Sequence, residues 1–262
     1  MKNAIRTCAQ RIGSWRTLCL TAVAAAGASI LPATAQSAFD VVGVRPGMTE
    51  AEAMSALTAH RPGMRVQKRS MNYNFRDGVQ QINTESFLHE VWVIYDDAQG
   101  REEFRLYFSP LPSASRVVSV YRNVTLKAPP TQAQLSSQLT QKYGAPTVTG
   151  KNYADLNMTW GESGKPMCWR SNPKATVIGD GQGDITDYLR KEQAKGRVPA
   201  DFSQCGVALA ANLVGEPVRQ LVVRITDYGA WAATQQKAKD WVEQQRQDAV
   251  KARLSKGDGP KL

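Results

Sequence analysis

The stretch that decides the fold is TEAEAMSALT at residues 49–58, which recurs as TQAQLSSQLT at residues 131–140. Each copy begins with a threonine and places Glu52 or Gln134 three residues further on, which is the pattern of a capping box at a helix N-terminus. Both stretches therefore predict short helices, and Gly144 is the predicted end of the second one.

Two pairs of apolar segments repeat in the same order after these helices. Residues 104–108 and 117–122 predict one β-hairpin, and residues 207–213 and 220–225 predict another. Leu106 and Arg116 of the first pair align with Leu209 and Arg219 of the second. The matching order predicts an α+β fold of two related helix-plus-antiparallel-sheet units in tandem, with a C-terminal helix. Their bounds are residues 36–126 and 127–228 for the units and 229–262 for the helix and its tail.

The remaining segments complete this design. Residues 66–75 alternate in polarity and predict a strand with one wet face, whereas residues 87–95 are apolar on both faces and predict a central strand. Residues 156–160 and 167–170 predict a further hairpin. Helices are expected at 185–195, capped by Asp184 after a glycine-rich loop at 179–183, and at 230–254, before a frayed tail.

Residues 1–35 have the pattern of a secretory signal peptide. Basic residues precede an apolar run at 18–31, and Ala33-Thr34-Ala35 is an A-x-A cleavage site, so cleavage is expected after Ala35. The alternatives are a transmembrane anchor, for which the run is short, and lipidation at Cys19, which lacks a lipobox. The sequence therefore predicts a periplasmic or secreted protein with no transmembrane segment in the mature chain.

Composition and cysteine content agree with export. The 262 residues are 42% hydrophobic, 21% charged and 8% aromatic, a composition that excludes a disordered or multi-span membrane protein, and their formal net charge is +10. Cleavage would leave Cys168 and Cys205, an even pair that in an oxidising compartment predicts a disulfide. This bridge would bound an insertion at 168–205 in the second unit. Free thiols or half of a metal site are the alternatives.

The sequence offers no recognisable set of catalytic residues, so it predicts a protein that is not an enzyme. The sequence contains no G-x-S-x-G motif. His60 is expected in a solvated loop and His89 packed on a strand. The densest carboxylates, Asp96-Asp97 and Glu102-Glu103, flank a predicted turn, where aspartate is common for local reasons. No catalytic, cofactor-binding or metal-binding residue is predicted, and an enzyme of unrecognised type is the third hypothesis.

Two further patterns have a structural and a functional interpretation. Residues 180–187 are rich in aspartate, but Ile185 and Lys191 occupy places where a calcium loop needs glycine and glutamate. The second pattern interleaves basic residues with aromatic ones and predicts either a charged edge strand or contact with an anionic glycan, peptidoglycan or lipid headgroup. Its members are Arg61, Arg65, Lys68, Arg69 and Arg76, with Tyr73 and Phe75. Export disfavours nucleic acid as the partner.

Two short motifs carry a resemblance to a known family. GVRPGMTEAEAMSAL at 43–57 resembles the opening motif of the small outer-membrane-assembly lipoproteins of the BamE/SmpA type, and LTQKYGAP at 139–146 resembles their helix exit. Those proteins share an α-α-β-β-β unit with the β-lactamase-inhibitor proteins, which carry two units in one chain. The resemblance implies a non-enzymatic, protein-binding component of the envelope. The chain departs from the lipoproteins in its missing anchor cysteine, its length and its insertion.

The sequence thus predicts a non-enzymatic protein-binding component of the bacterial cell envelope that needs no cofactor. The expected partner is another envelope protein, and an anionic envelope polymer is the alternative. The second functional hypothesis is a proteinaceous inhibitor of a periplasmic or secreted enzyme, since the tandem unit is similar to such inhibitors.

Overall fold

The computed structural model describes residues 39–98, 100–168 and 185–255. All of them belong to one compact unit, Gln36–Leu262. Several predicted features lie outside the described residues: the signal peptide with its cleavage site, the glycine-rich loop with Asp184, and the tail from residue 256.

The two repeated helices begin with the predicted capping boxes. Helix α1 spans Glu50–His60, and helix α2 spans Gln132–Tyr143. In α1 the Thr49 backbone N–H donates to the Glu52 carboxylate at 2.7 Å, and the Glu52 N–H donates to the Thr49 hydroxyl at 3.2 Å. In α2 the Thr131 N–H donates to Gln134 Oε1 at 2.9 Å. Gly144 ends α2 with φ of +82°, a conformation that glycine adopts without strain.

The strands form an eight-stranded antiparallel sheet and a separate two-stranded one, so the predicted α+β class is confirmed. The order in the large sheet is β1-β4-β5-β6-β10-β9-β8-β7. The strands are β1 Arg65–Met71, β2 Asn74–Arg76, β3 Gln81–Asn83, β4 Phe87–Asp97, β5 Gly100–Phe108, β6 Val117–Thr125, β7 Val148–Asn152, β8 Asp155–Gly161, β9 Val207–Val214 and β10 Gln220–Asp227. The predicted hairpins are confirmed as β5–β6 and β9–β10.

The strand predicted over 66–75 is wrong at its C-terminal end. Strand β1 stops at Met71, and the chain leaves the large sheet to form the β2–β3 hairpin. Tyr73 and Thr84 close this excursion, because the Thr84 N–H donates to the Tyr73 carbonyl at 2.9 Å and the Tyr73 N–H donates to the Thr84 hydroxyl at 3.0 Å. The alternation of polarity continues through Phe75, but the pairing partner changes.

The hairpin predicted between 156–160 and 167–170 is also wrong. Strand β8 pairs with β7 on one side and with β9 on the other. Met167 and Cys168 are not in a strand, and residues 169 and 170 lie outside the described residues. Strand β7 was missed because Gly150, Lys151 and Asn152 have low intrinsic preference for strands.

Helices cover both faces of the large sheet. Leu106 and Tyr107 are neighbours on β5 and point to opposite faces. Leu106 packs in the core under α1 and α2, which includes Leu57. Tyr107 packs in a second core with helices α3, Ile185–Gln193, and α4, Tyr228–Ser255. The structure therefore has three layers.

Helix α4 continues directly from β10 and reaches the β2–β3 hairpin. Near its C-terminus the Arg253 Nε donates to the Asp77 carbonyl oxygen at 3.2 Å. In the ranges that the structure describes, no helix has both the length and the apolarity needed to cross a membrane.

Candidate functional site

The predicted disulfide is present and lies in the second core. Cys168 and Cys205 are bonded, with Cα atoms 5.5 Å apart, and both residues are buried. The bridge joins the two ends of the insertion, and the end at Cys205 lies close to the start of α4. A Cβ added at Gly229 would lie 2.5 Å from the Cys205 carbonyl oxygen and 2.9 Å from that of Ser203. Only glycine fits this close approach between two backbones.

His60 is not in a solvated loop, so that prediction is wrong. It is the last residue of α1, and its Nε2 lies 3.1 Å from both carboxylate oxygens of Glu102. Its ring packs edge-on against Phe104, with centroids 6.0 Å apart. A histidine at the C-terminus of a helix is favoured by the helix dipole, and the predicted turn at Arg61-Pro62 hid this arrangement.

The Glu102 carboxylate is the centre of a buried ionic cluster. Glu102 is 5% exposed. Arg122 Nε donates to its Oε1 at 2.7 Å, and Arg61 Nη1 lies 3.6 Å from its Oε2. Arg61 also forms an ion pair with Asp97. The cluster joins the end of α1 to β4, β5 and β6, so it holds these elements together.

Of the four candidate carboxylates, Asp97 and Glu102 are bridged by the Arg61 guanidinium, whereas Asp96 and Glu103 lie against other arginines. Glu102 and Glu103 are adjacent on β5 and therefore point to opposite faces of the sheet. Glu103 pairs with Arg105 at 2.9 Å, and Asp96 lies 3.8 Å from Arg65. A pair of carboxylates flanking one substrate, as glycoside hydrolysis requires, is not formed by these residues.

Metal ligands do not cluster in the described part of the chain. Within it, no group of three or more histidine, cysteine, aspartate or glutamate residues is placed to hold an ion. Residues 180–184 of the aspartate-rich stretch lie outside the described residues. Asp187, in α3, forms an ion pair with Arg190 at 3.2 Å.

His89 lies on β4 as predicted and packs against Tyr107, with ring centroids 5.9 Å apart. Burial lowers the pKa of His89, and the charge of Arg69 acts in the same direction, while Glu90 opposes both. The ring is therefore a neutral polar group at neutral pH.

The basic patch of the sequence is divided by the fold. Arg61 belongs to the Glu102 cluster, and Arg76 lies on β2. The other three cations lie on β1, which is the first strand of the large sheet. Arg69 pairs with the buried Glu90 at 3.3 Å, Lys68 pairs with Glu50 at 2.6 Å, and Arg65 lies against Asp96.

Strand β1 is an open edge with unusual exposure. Six of its seven residues are exposed. Its one neighbour in the sheet is β4, and no other strand among the described residues pairs with its outer side. An edge of this kind presents backbone N–H and C=O groups that another extended chain can bond.

Strand β7 forms the opposite edge and ends in an exposed aromatic residue. Tyr153 is 98% exposed and has φ of +52° in the turn between β7 and β8. Tyr153 was not among the residues predicted from the sequence to have a functional role. The flanking Asn152 and Asp155 are typical turn residues and were the available signal.

Comparison with protein-family models, with curated proteins and with solved structures finds no match for this chain. The function is therefore inferred from the geometry of the chain itself.

Proposed function

We propose that the chain is a non-enzymatic binding protein of the bacterial cell envelope, exported to the periplasm or beyond. The observation that carries this proposal is the open β1 edge, with six of seven residues exposed. Addition of a strand to such an edge gives affinity through main-chain hydrogen bonds and specificity through alternate side chains.

The proposed partner is another envelope protein that contributes an extended acidic segment. The side chains of Arg65 and Lys68 are 67% and 57% exposed. They are three positions apart on β1, so they project from opposite faces of the sheet at the edge where the partner strand would add. Carboxylates that project from opposite faces of the partner strand, an odd number of positions apart, would meet these cations. An anionic envelope polymer offers the same charge but cannot supply the backbone hydrogen bonds of a strand.

Export is supported by two features. The first 35 residues have the composition of a signal peptide. The second is the Cys168–Cys205 bridge, since disulfides persist in oxidising compartments.

We also infer that the large sheet arose from two related units. The strand order supports this, because β1-β4-β5-β6 and β7-β8-β9-β10 are two meanders joined at β6 and β10. The alignment of Leu106 with Leu209 makes Tyr121 equivalent to Arg224, and these two residues lie directly opposite each other where the meanders meet. A local twofold axis through this pair would relate the two halves.

The test is cross-linked capture from the envelope of the native host with three tagged chains. The double variant Arg65→Glu/Lys68→Glu reverses two charges on β1, and Lys151→Glu, on the opposite edge β7, is the matched control. We expect one envelope protein to be enriched by the wild type and the control, and its recovery to fall about tenfold with the double variant, which corresponds to about 1.4 kcal/mol.

Equal recovery with all three chains would overturn the β1 edge as the binding surface. Recovery of an anionic polymer in place of a protein would overturn the proposed partner.

The exposed Tyr153 favours a second candidate function, inhibition of a periplasmic or secreted enzyme. Tyrosine is enriched among residues that dominate protein interfaces, and here it projects from a hairpin turn. An inhibitor would form a one-to-one complex that abolishes the activity of the target. Substitution Tyr153→Ala should then weaken inhibition by at least tenfold, while leaving capture through the β1 edge unchanged.

A further inference from the structure

A groove of about 280 Å³ lies between the sheet and α4. Trp231, Gln235 and Lys239 line its helical wall, and they occupy one stripe because they are four residues apart. The sheet side contributes Tyr73, Phe87 and Phe108. The two walls come from distant parts of the chain.

The inner part of the groove is aromatic. The rings of Tyr73 and Phe87 lie 5.3 Å apart and are tilted by 40°. Trp231 is stacked on Tyr107 with centroids 6.1 Å apart, which fixes the orientation of the indole. A cavity of about 150 Å³ accommodates benzene, so this groove has room for a bicyclic ring and a small substituent.

Gln235 and Lys239, the polar residues of the helical wall, both contact Thr186 of α3. Lys239 Nζ donates to the Thr186 hydroxyl at 2.6 Å, and Gln235 Oε1 accepts from the Thr186 backbone N–H at 3.3 Å. The amide nitrogen of Gln235 can still donate. Side chains on a helix lean towards its N-terminus, so the ammonium of Lys239 leans towards Gln235 and the aromatic part.

His89 completes the polar side of the groove. Because burial lowers its pKa, it adds a neutral hydrogen-bonding ring and no second positive charge at neutral pH. Among the described residues that line the groove, Lys239 is the cation, and it lies beside an apolar space.

We propose that this groove binds a small aromatic anion. The ring of the ligand would pack among Tyr73, Phe87 and Trp231, and its carboxylate or sulfonate would accept hydrogen bonds from Lys239 and Gln235. A hydrogen bond between two charged groups is stronger than a neutral one, so a negative charge on the ligand would raise both affinity and selectivity. The groove touches β1 only at Met71, the last residue of that strand, and its proposed ligand contacts do not involve Arg65 or Lys68.

Three indoles that differ in one group test the proposal by titration calorimetry with the full chain. Indole-3-acetate is an anion, indole-3-acetamide is neutral, and tryptamine is a cation. We expect indole-3-acetate to bind about tenfold more tightly than the acetamide, and tryptamine to bind more weakly than either. Saturable one-to-one binding of the anion is the primary result.

Two variants on the same helix separate the groove from general charge effects. Lys239→Gln removes the cation of the groove, whereas Lys237→Gln removes an exposed charge on a different side of α4. We expect Lys239→Gln to remove the preference for the anion and to leave acetamide binding within about twofold. Lys237→Gln should behave as the wild type, and equal melting temperatures would show that both variants fold.

Three results would overturn the proposal. They are no saturable binding of indole-3-acetate at millimolar concentration, equal affinity for all three indoles, and equal effects of the two lysine variants. Capture of an envelope partner through β1 would be unaffected by any of them, so the two proposals fail separately.

Discussion

Single side chains connect distant parts of this chain through buried charge. The Glu102 carboxylate receives contacts from His60 and Arg61 at the end of α1 and from Arg122 on β6. A carboxylate that is 5% exposed is costly to bury unless several donors compensate it. Here His60, Arg61 and Arg122 compensate the carboxylate, so its removal would take one interaction from each of them.

Replacing Glu102 with glutamine should lower the free energy of unfolding by about 2–4 kcal/mol, because Arg122 would stay partly buried without this counter-charge, while Arg61 would keep Asp97. Urea denaturation measures this. The matched control is Glu50→Gln, which breaks the more exposed pair with Lys68 and should cost less than about 1 kcal/mol. Equal losses in the two variants would contradict a structural role for the cluster.

Titration of His89 should make the fold less stable in acid. Because its folded pKa lies below the unperturbed value of 6.5, the unfolded chain binds the proton more readily. The contribution of His89 to the free energy of unfolding is therefore fully present above pH 6.5. It is lost as the pH drops from there to the lowered folded pKa. His89→Gln should reduce this slope in urea titrations between about pH 7 and pH 5. An unchanged slope in the variant would assign the acid sensitivity to other groups.

At the scale of elements, features that depend on contacts within one element were predicted from the sequence, and features that depend on pairing with distant residues were not. The capping boxes at Thr49 and Thr131 were evident from spacing alone, since each needs contacts within one helical turn. Strand β7 was not, because its conformation depends on pairing with β8 and not on its own residues. The contact of His60 was missed for the same reason, since its partner Glu102 is distant in sequence. The groove was missed because its two walls meet only in the folded chain.

Loss of the disulfide should loosen the insertion more than the rest of the chain. The two cysteines are separated by 37 positions, for which the chain-entropy model gives about 4 kcal/mol. In the double variant Cys168→Ala/Cys205→Ala, amide exchange should accelerate in α3 and at the short 3-10 turn Phe202–Gln204. Helix α1 is the internal reference, and equal acceleration there would contradict a local role of the bridge.

At the scale of the whole molecule, one core extends across both halves of the large sheet. Leu57 of α1, Phe104 of β5 and Trp160 of β8 belong to the same cluster of buried residues. Strands β6 and β10 join the halves, and there the Ser119 and Thr226 hydroxyls lie 2.7 Å apart. The sequence predicted the class of the fold and four of these strands as hairpins, but not that they would share one sheet, because no local signal encodes the pairing of β6 with β10.

The shared core predicts a single unfolding transition for residues 39–255. The slowest-exchanging amides of β4 and β8 should report the same free energy of opening in native-state hydrogen exchange, since neither half can lose its core alone. Coincident urea transitions by circular dichroism and tryptophan fluorescence would agree with this. Two separate transitions would show that the halves are independent domains.

The late position of α4 in the chain has a consequence for biosynthesis. The sheet side of the groove is made early, whereas Trp231 and Lys239 are synthesised only after the last strand of the sheet. A nascent chain that ends before Tyr228 would leave Tyr107 and Val118 without the helix that covers this face, and chaperones bind such apolar surface. The groove is therefore complete only after α4 has been synthesised, and products that end before Tyr228 would lack its helical wall and expose this surface to proteases.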